Sequence, residues 1–114
     1  MKEIIEHVHL EKLGGQSELE GLAIENGSLI GYLYFQQENS QISILLIVIE
    51  PSYQGKGYAK RLLAELEEVA RQRNIKKLVA CGVDKVKSSI VGLLKKNGYD
   101  PLPDSENYIK LLND

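Results

Sequence analysis

The chain has 114 residues, 43% of them hydrophobic and 26% charged, with a formal net charge of −2 at pH 7. That describes one globular domain over residues 1–114, burying roughly 65% of its unfolded surface, and it excludes a disordered segment and, being slightly acidic and poor in aromatics, a nucleic-acid binder. A single cysteine, Cys81, rules out an internal disulfide and a multi-cysteine zinc site, and no apolar run nears the ~20 residues of a membrane span, so a reduced, cytoplasmic setting with no metal and no membrane partner is expected.

Residues 2–10 read as an edge strand, with Ile4, His7 and His9 alternating poorly. The opening Met1-Lys2-Glu3 lacks the charged-then-apolar order of a signal peptide. Leu13 to Glu18 is too short and glycine-rich for a stable helix. Glu20 to Glu25 reads as a strand, and Asn26-Gly27 predicts a tight hairpin turn with φ > 0 at both centre positions. Ser28 to Gln36 is the returning strand, carrying Tyr32, Tyr34 and Phe35, and Glu38-Asn39-Ser40 is a second hairpin loop. In Ile42 to Ile49, Ile42, Ile44, Leu46 and Val48 fall on one face and Leu45, Ile47 and Ile49 on the other, which predicts a central strand covered on both sides. Pro51 ends it, because proline cannot donate to the ladder.

From Tyr58 to about Arg73 the apolar residues Ala59, Leu62, Leu63, Leu66, Val69 and Ala70 recur at three- and four-residue spacing, an amphipathic helix with Asn74 as its C-cap. Lys77 to Val83 is the next strand. A second helix runs from about Val86 to Asn97, turns Val86, Ile90, Val91 and Leu94 inward, and closes at Gly98. Asn107 to Leu112 is a last strand. Hairpins followed by strand–helix–strand–helix–strand predict an α/β (α+β) domain: a mixed, mostly antiparallel sheet with one central parallel pair, 42–49 beside 77–83, and helices on its faces.

The segment joining the central strand to the long helix, Glu50-Pro51-Ser52-Tyr53-Gln54-Gly55-Lys56-Gly57-Tyr58-Ala59, carries the chemistry. A glycine-rich turn at this place aims several unpartnered amides at one spot. The helix dipole adds about half a positive charge there. Gly55 and Gly57 remove the Cβ atoms that would hold a ligand away, and Lys56, Lys60 and Arg61 add formal charge, so a phosphate or pyrophosphate is expected. A P-loop would need Lys-Ser/Thr where Tyr58-Ala59 stands, and a dinucleotide fingerprint a third glycine where Lys60 stands. A turn that is tight and nothing more remains the competing reading.

With those residues in view, the sequence resembles the GCN5-related N-acetyltransferase (GNAT) family over roughly Leu22 to Leu112, most sharply from Ile47 to Leu63. Gln54, Gly55, Gly57 and Ala59 match the family's pyrophosphate loop, and Asn97-Gly98-Tyr99 matches the end of its second helix. The resemblance implies that Gln54, Gly55, Lys56, Gly57, Tyr58, Ala59 and Lys60 hold acetyl-CoA, with Arg61 or Lys87 also within reach of its phosphates. It implies that Ile47, Val48 and Ile49 face the acetyl and pantetheine arm, with an amide near Ile49 polarising the thioester carbonyl. It also implies direct attack by an amine, a small molecule or a peptide. Where the family carries an acid tyrosine the chain has Leu94. Where it has an asparagine touching the cofactor the chain has Lys87, followed by Ser88, which is taken as a cofactor contact. Glu50, at the end of the central strand, is the candidate base.

Three further expectations concern the acceptor side. His7, His9 and Cys81 are read as an edge pair and a small buried hydrophobe rather than as ligands. Residues 1–50 carry a net −6 and residues 54–96 a net +7, so the first half would favour a cationic acceptor. Little chain separates the first strand from Leu22, so either the acceptor groove is open or a partner subunit, a homodimer mate included, walls it.

Overall fold

The computed structural model describes residues 2–10, 19–82 and 88–112. Its elements are β1 (Ile4–Leu10), β2 (Leu19–Glu25), β3 (Leu29–Glu38), β4 (Gln41–Ile49), a short 3-10 turn (Pro51–Tyr53), α1 (Tyr58–Gln72), β5 (Lys77–Ala80), α2 (Ser88–Lys96), β6 (Asp100–Pro101) and β7 (Tyr108–Leu111). The strands form one sheet in the order β1-β2-β3-β4-β5-β7-β6. All its pairings are antiparallel except β4 with β5, which run parallel as the strand–helix–strand order requires. The expectation for Leu13 to Glu18 lies outside the described residues. Among the described residues no helix is long and apolar enough to cross a membrane.

The core lies between α1 and one face of the sheet. The helix buries Leu62, Leu63, Leu66, Val69 and Ala70, the stripe its spacing predicts. They meet Leu22 and Ile24 of β2, Leu33 and Phe35 of β3, and Ile42 and Ile44 of β4. Both helices end as their letters suggest. Asn74 takes φ 57 and Gly98 φ 88; Ile75 and Tyr99 donate their amides back to the Ala70 and Leu94 carbonyls at 2.8 and 2.9 Å.

A charged group lies at the edge of that core. Glu20 is 5% exposed, and its carboxylate accepts both Arg73 guanidinium nitrogens at 2.7 and 2.9 Å and bonds His7 Nε2 at 2.8 Å. This bidentate pair ties β2 to the end of α1, and it holds the Glu20 carboxyl below its usual range against the opposing effect of burial.

Three expectations are corrected and one unannounced strand is added. Asn26 does not take a positive φ; only Gly27 does (φ 100), because the β2–β3 connection spans Asn26, Gly27 and Ser28, with Glu25 opposite Leu29 and a register shift beside it. β5 stops at Ala80, with Gly82 at φ 59 turning the chain two residues on, while Val83, the expected end of the strand, lies outside the described residues. A two-residue strand, β6, pairs with β7 without any apolar run to announce it. The largest difference is in β4. Tyr34 pairs with Leu46 but Phe35 with Ile44, so Leu45 is an extra residue, a β-bulge. Alternation therefore slips at Leu45. Ile42, Ser43 and Ile44 are buried, whereas Leu45 and Leu46 are 43% and 44% exposed. The strand is covered on both sides in its first half only.

Candidate functional site

β4 leaves β5 at the bulge. The parallel pairing runs from Gln41 opposite Lys77 to Ile44 opposite Ala80, with one last bond from the Cys81 amide to the Ile44 carbonyl at 3.0 Å. Beyond that rung Gly82 donates its amide to Asn107 Oδ1 at 3.0 Å, and Leu45 to Ile49 have no strand beside them on that edge among the described residues.

The phase of the ladder shows what this free edge offers. Glu50 donates its amide to the Ile30 carbonyl at 2.8 Å. Successive residues of a strand point their polar groups to opposite sides. Val48 and Leu46 therefore pair toward β3, and the amides and carbonyls of Ile47 and Ile49 turn to the open edge. The Ile49 carbonyl is met there by the Gln54 side chain, whose Nε2 donates to it at 3.0 Å. A glycine keeps β3 close behind: a Cβ at Gly31 would meet the Ile49 Cδ1 at 2.5 Å and the Val48 carbonyl at 2.6 Å.

The turn after β4 brings the start of α1 to the same edge. The Tyr53 and Gln54 amides are spent inside it, on the Glu50 and Pro51 carbonyls. From Gly55 to Lys60 no amide has a protein partner among the described residues, and the first bond of the helix is Arg61 to the Gly57 carbonyl at 3.2 Å. Gly55 and Gly57 hold φ 76 and 86, and a Cβ added to either would meet no protein atom within 4 Å. Gln54, Gly55, Lys56, Gly57 and Lys60 are exposed, Tyr58 and Ala59 half-buried.

Side chains brace this turn from outside it. The Tyr53 and Tyr58 rings meet edge-on at 5.8 Å, and Lys56 Nζ lies 5.7 Å over the Tyr53 ring. The Tyr58 hydroxyl donates to Glu3 Oε2 at 2.7 Å, and Arg61 pairs with the same carboxylate. Those two contacts, Tyr58 first, hold the Glu3 carboxyl below its usual range. Arg61 is thus engaged with Glu3, while Lys60 has no ion-pair partner among the described residues. No pattern of residues points to Glu3, 55 residues away from Tyr58 in the chain.

The remaining candidates are placed as follows. Glu50 is exposed at the end of β4. Ser88 opens α2, but its side chain, like Lys87, lies outside the described residues. Leu94 is 1% exposed and belongs to the core. Cys81 is half-buried beside the last rung of β5. His7 is tied to Glu20.

The family model of the acetyltransferase (GNAT) family matches residues 4–99. The chain belongs to the GNAT family. Solved structures agree on the fold. The PaiA N-acetyltransferase of Thermoplasma acidophilum, in complex with coenzyme A, superposes with a TM-score of 0.72 at 20% identity, over 82% of this chain and 61% of that one. The IAA acetyltransferase from Bacillus cereus gives 0.74 at 22% identity, over 89% and 79%. A GNAT-family acetyltransferase from Staphylococcus aureus gives 0.72 at 16% identity, over 83% and 68%. The chain spans about three fifths of the Thermoplasma enzyme's length. No curated protein matches it in sequence.

In this GNAT chain the observed geometry fits a pyrophosphate-bearing acyl carrier. Unpartnered amides and glycines with open space in front of them suit the diphosphate, each amide contact at a helix start being worth about 0.3–1 kcal/mol. The free edge of β4 suits an extended arm that completes the ladder.

Proposed function

We propose that this chain is an acetyl-CoA-dependent N-acetyltransferase acting on a primary amine. The row of free amides from Gly55 to Lys60, set where β4 leaves β5, carries the reading. Gln54 to Lys60 would hold the pyrophosphate. The open edge of β4 would pair with the pantetheine arm, with the Ile49 or Ile47 amide donating to the thioester carbonyl. Bound acetyl-CoA supplies the activated acetyl group. The protein supplies proximity and that donor, and Glu50, exposed at the end of β4, would accept the proton the amine loses. The Leu94 side chain is buried and gives no proton to the departing thiolate, which leaves water as its proton source. The acidic strands favour a cationic acceptor, a polyamine or a lysine-bearing or N-terminal peptide.

The buried Leu94 also favours a second reading, a domain that holds acyl-CoA without turning it over. Two measurements separate these. Coenzyme A at 100 times its Kd should stabilise the fold by about 2.7 kcal/mol under either reading. Thiol release from acetyl-CoA that requires spermine or a lysine peptide supports the transferase. Binding with no amine-dependent thiol supports the carrier, and no stabilisation at all defeats both.

A further inference from the structure

The face of the sheet turned away from α1 is apolar where an antiparallel sheet facing water would alternate toward polar groups. The register lays its side chains in rows. Val8, Gly21, Tyr34 and Leu46 form one; Glu6, Ala23, Tyr32 and Val48 the next; Ile4, Glu25 and Leu29 a third. Ile4, Val8, Leu29 and Leu46 are 53%, 39%, 43% and 44% exposed. The Tyr32 and Tyr34 rings lie 4.9 Å apart at 30°, and a Cβ on Gly21 would meet the Tyr34 ring at 3.1 Å, so Tyr34 lies across that glycine. Around them runs a groove of about 240 Å³, floored by Gly21 and Ala23 and walled by Val8, Leu29 and the two tyrosines. A contiguous exposed patch of this kind marks an interaction surface.

Charge and width select the occupant. Strands β1 to β4 contain no lysine or arginine. Glu6 and Glu25 stand within the rows and have no ion-pair partner among the described residues. A second copy docked face to face would bring the same acids to both halves of the interface, and strands β1 to β4 carry no lysine or arginine on either half to answer them. An anionic lipid surface would repel them. From β1 to β4 is three strand spacings, about 14 Å, and a helix with its side chains is about 10–12 Å across. We propose that this face is the docking site for one amphipathic helix of a partner protein, its apolar stripe on the tyrosine rows and its lysines or arginines on Glu6 and Glu25. The inference stands on this face alone and does not require acetyl transfer.

The probe is a synthetic 14-residue leucine/lysine peptide with helical apolar spacing, titrated into the ¹⁵N-labelled chain. A leucine/glutamate peptide of the same spacing and a scrambled leucine/lysine peptide are the comparators. The expected result is saturable shifts along β1 to β3 and at Leu46 and Val48, at least tenfold tighter for the leucine/lysine peptide than for either comparator. The charge swap Glu6→Lys, at an exposed position, with Glu25→Lys, at a half-buried one, should reverse the preference and leave the melting temperature within a few degrees. Equal binding of both charge types overturns the proposal, as do shifts confined to other faces. So do binding to phosphatidylglycerol vesicles in place of the peptide and a dimer in sedimentation that Tyr34→Arg dissolves.

Discussion

Gly57→Glu isolates the contribution of the free amides from that of the fold. Gly57 caps α1 at φ 86 and ψ 8. A side chain held in that region costs roughly 1–2 kcal/mol, and the new Cβ meets no protein atom within 4 Å, so the loss stops there. Against a stability of about 5–15 kcal/mol the protein stays folded, melting about 4–8 °C lower at about 4 °C per kcal/mol for this size. The ligand loses more. A unit charge about 4 Å from another in water-like surroundings repels it by about 1 kcal/mol, hence about 2 kcal/mol for a doubly charged pyrophosphate, and one displaced amide contact adds about 0.3–1 kcal/mol. Coenzyme A should bind about 100-fold more weakly by calorimetry. Gly57→Ala has the same backbone cost without the charge and should lose less than about tenfold. The gap between the two should narrow in 1 M salt, where the screening length falls to about 3 Å. If Gly57→Glu shows the melting loss and still binds coenzyme A within twofold of the parent, the turn does not hold the diphosphate.

Arg73→Met strips both guanidinium bonds from buried Glu20, and chemical denaturation should show a loss of about 1.5–3 kcal/mol. Because Arg73 and then His7 lower the folded Glu20 pKa, that stability is present above the ordinary glutamate range, near 4.5, and is lost as pH falls through the folded value; the acid limb of the stability curve should be shallower in Arg73→Met. Tyr99 is 1% exposed and its hydroxyl has no hydrogen-bond partner among the described residues, so Tyr99→Phe should be neutral or about 1 kcal/mol more stable; a loss above 1 kcal/mol would mean that the hydroxyl has a partner. Deleting Leu45 turns the Ile44 and Leu46 pairings into consecutive rungs, so coenzyme A affinity should fall at least tenfold with the melting temperature held; parental affinity would show that the bulge does not set the cleft.

How far the sequence reaches differs from element to element. The α1 stripe, the glycine and asparagine helix ends and the parallel crossover are local patterns, and they appear where the letters put them. The β4 bulge is not local. Ile42 to Ile49 is apolar throughout, so no polar residue marks the slip at Leu45, and only its pairing with Tyr34 and Phe35 reveals it. The amides at the start of α1 were legible from Gly55 and Gly57, because glycine at a strand-to-helix turn has a limited set of uses. The brace from Glu3 to Tyr58 and Arg61 was not, since a contact 55 residues away leaves no periodic trace. The bare tyrosine face was half legible. Tyr32 and Tyr34 read as packing residues, and only the sheet order shows that nothing described packs on them.

The bulge connects these observations. An extra residue bends a strand and increases its twist. In β4 it comes directly after Ile44, the last residue paired with β5, so the bend begins where the parallel ladder ends. On the edge, that frees the polar groups of Ile47 and Ile49, and the Gln54 amide holds one of them, tying the helix-start turn to the opened strand. On the face, it turns Leu46 and Val48 into the tyrosine rows instead of the core under α1. A regular strand of the same composition would have kept Leu46 and Val48 on the face under α1, without the bend. The bend of β4 at the open edge and the presence of Leu46 and Val48 in the tyrosine rows are therefore two results of one added residue, and a change that straightens β4 should weaken ligand binding on the edge and helix docking on the face together.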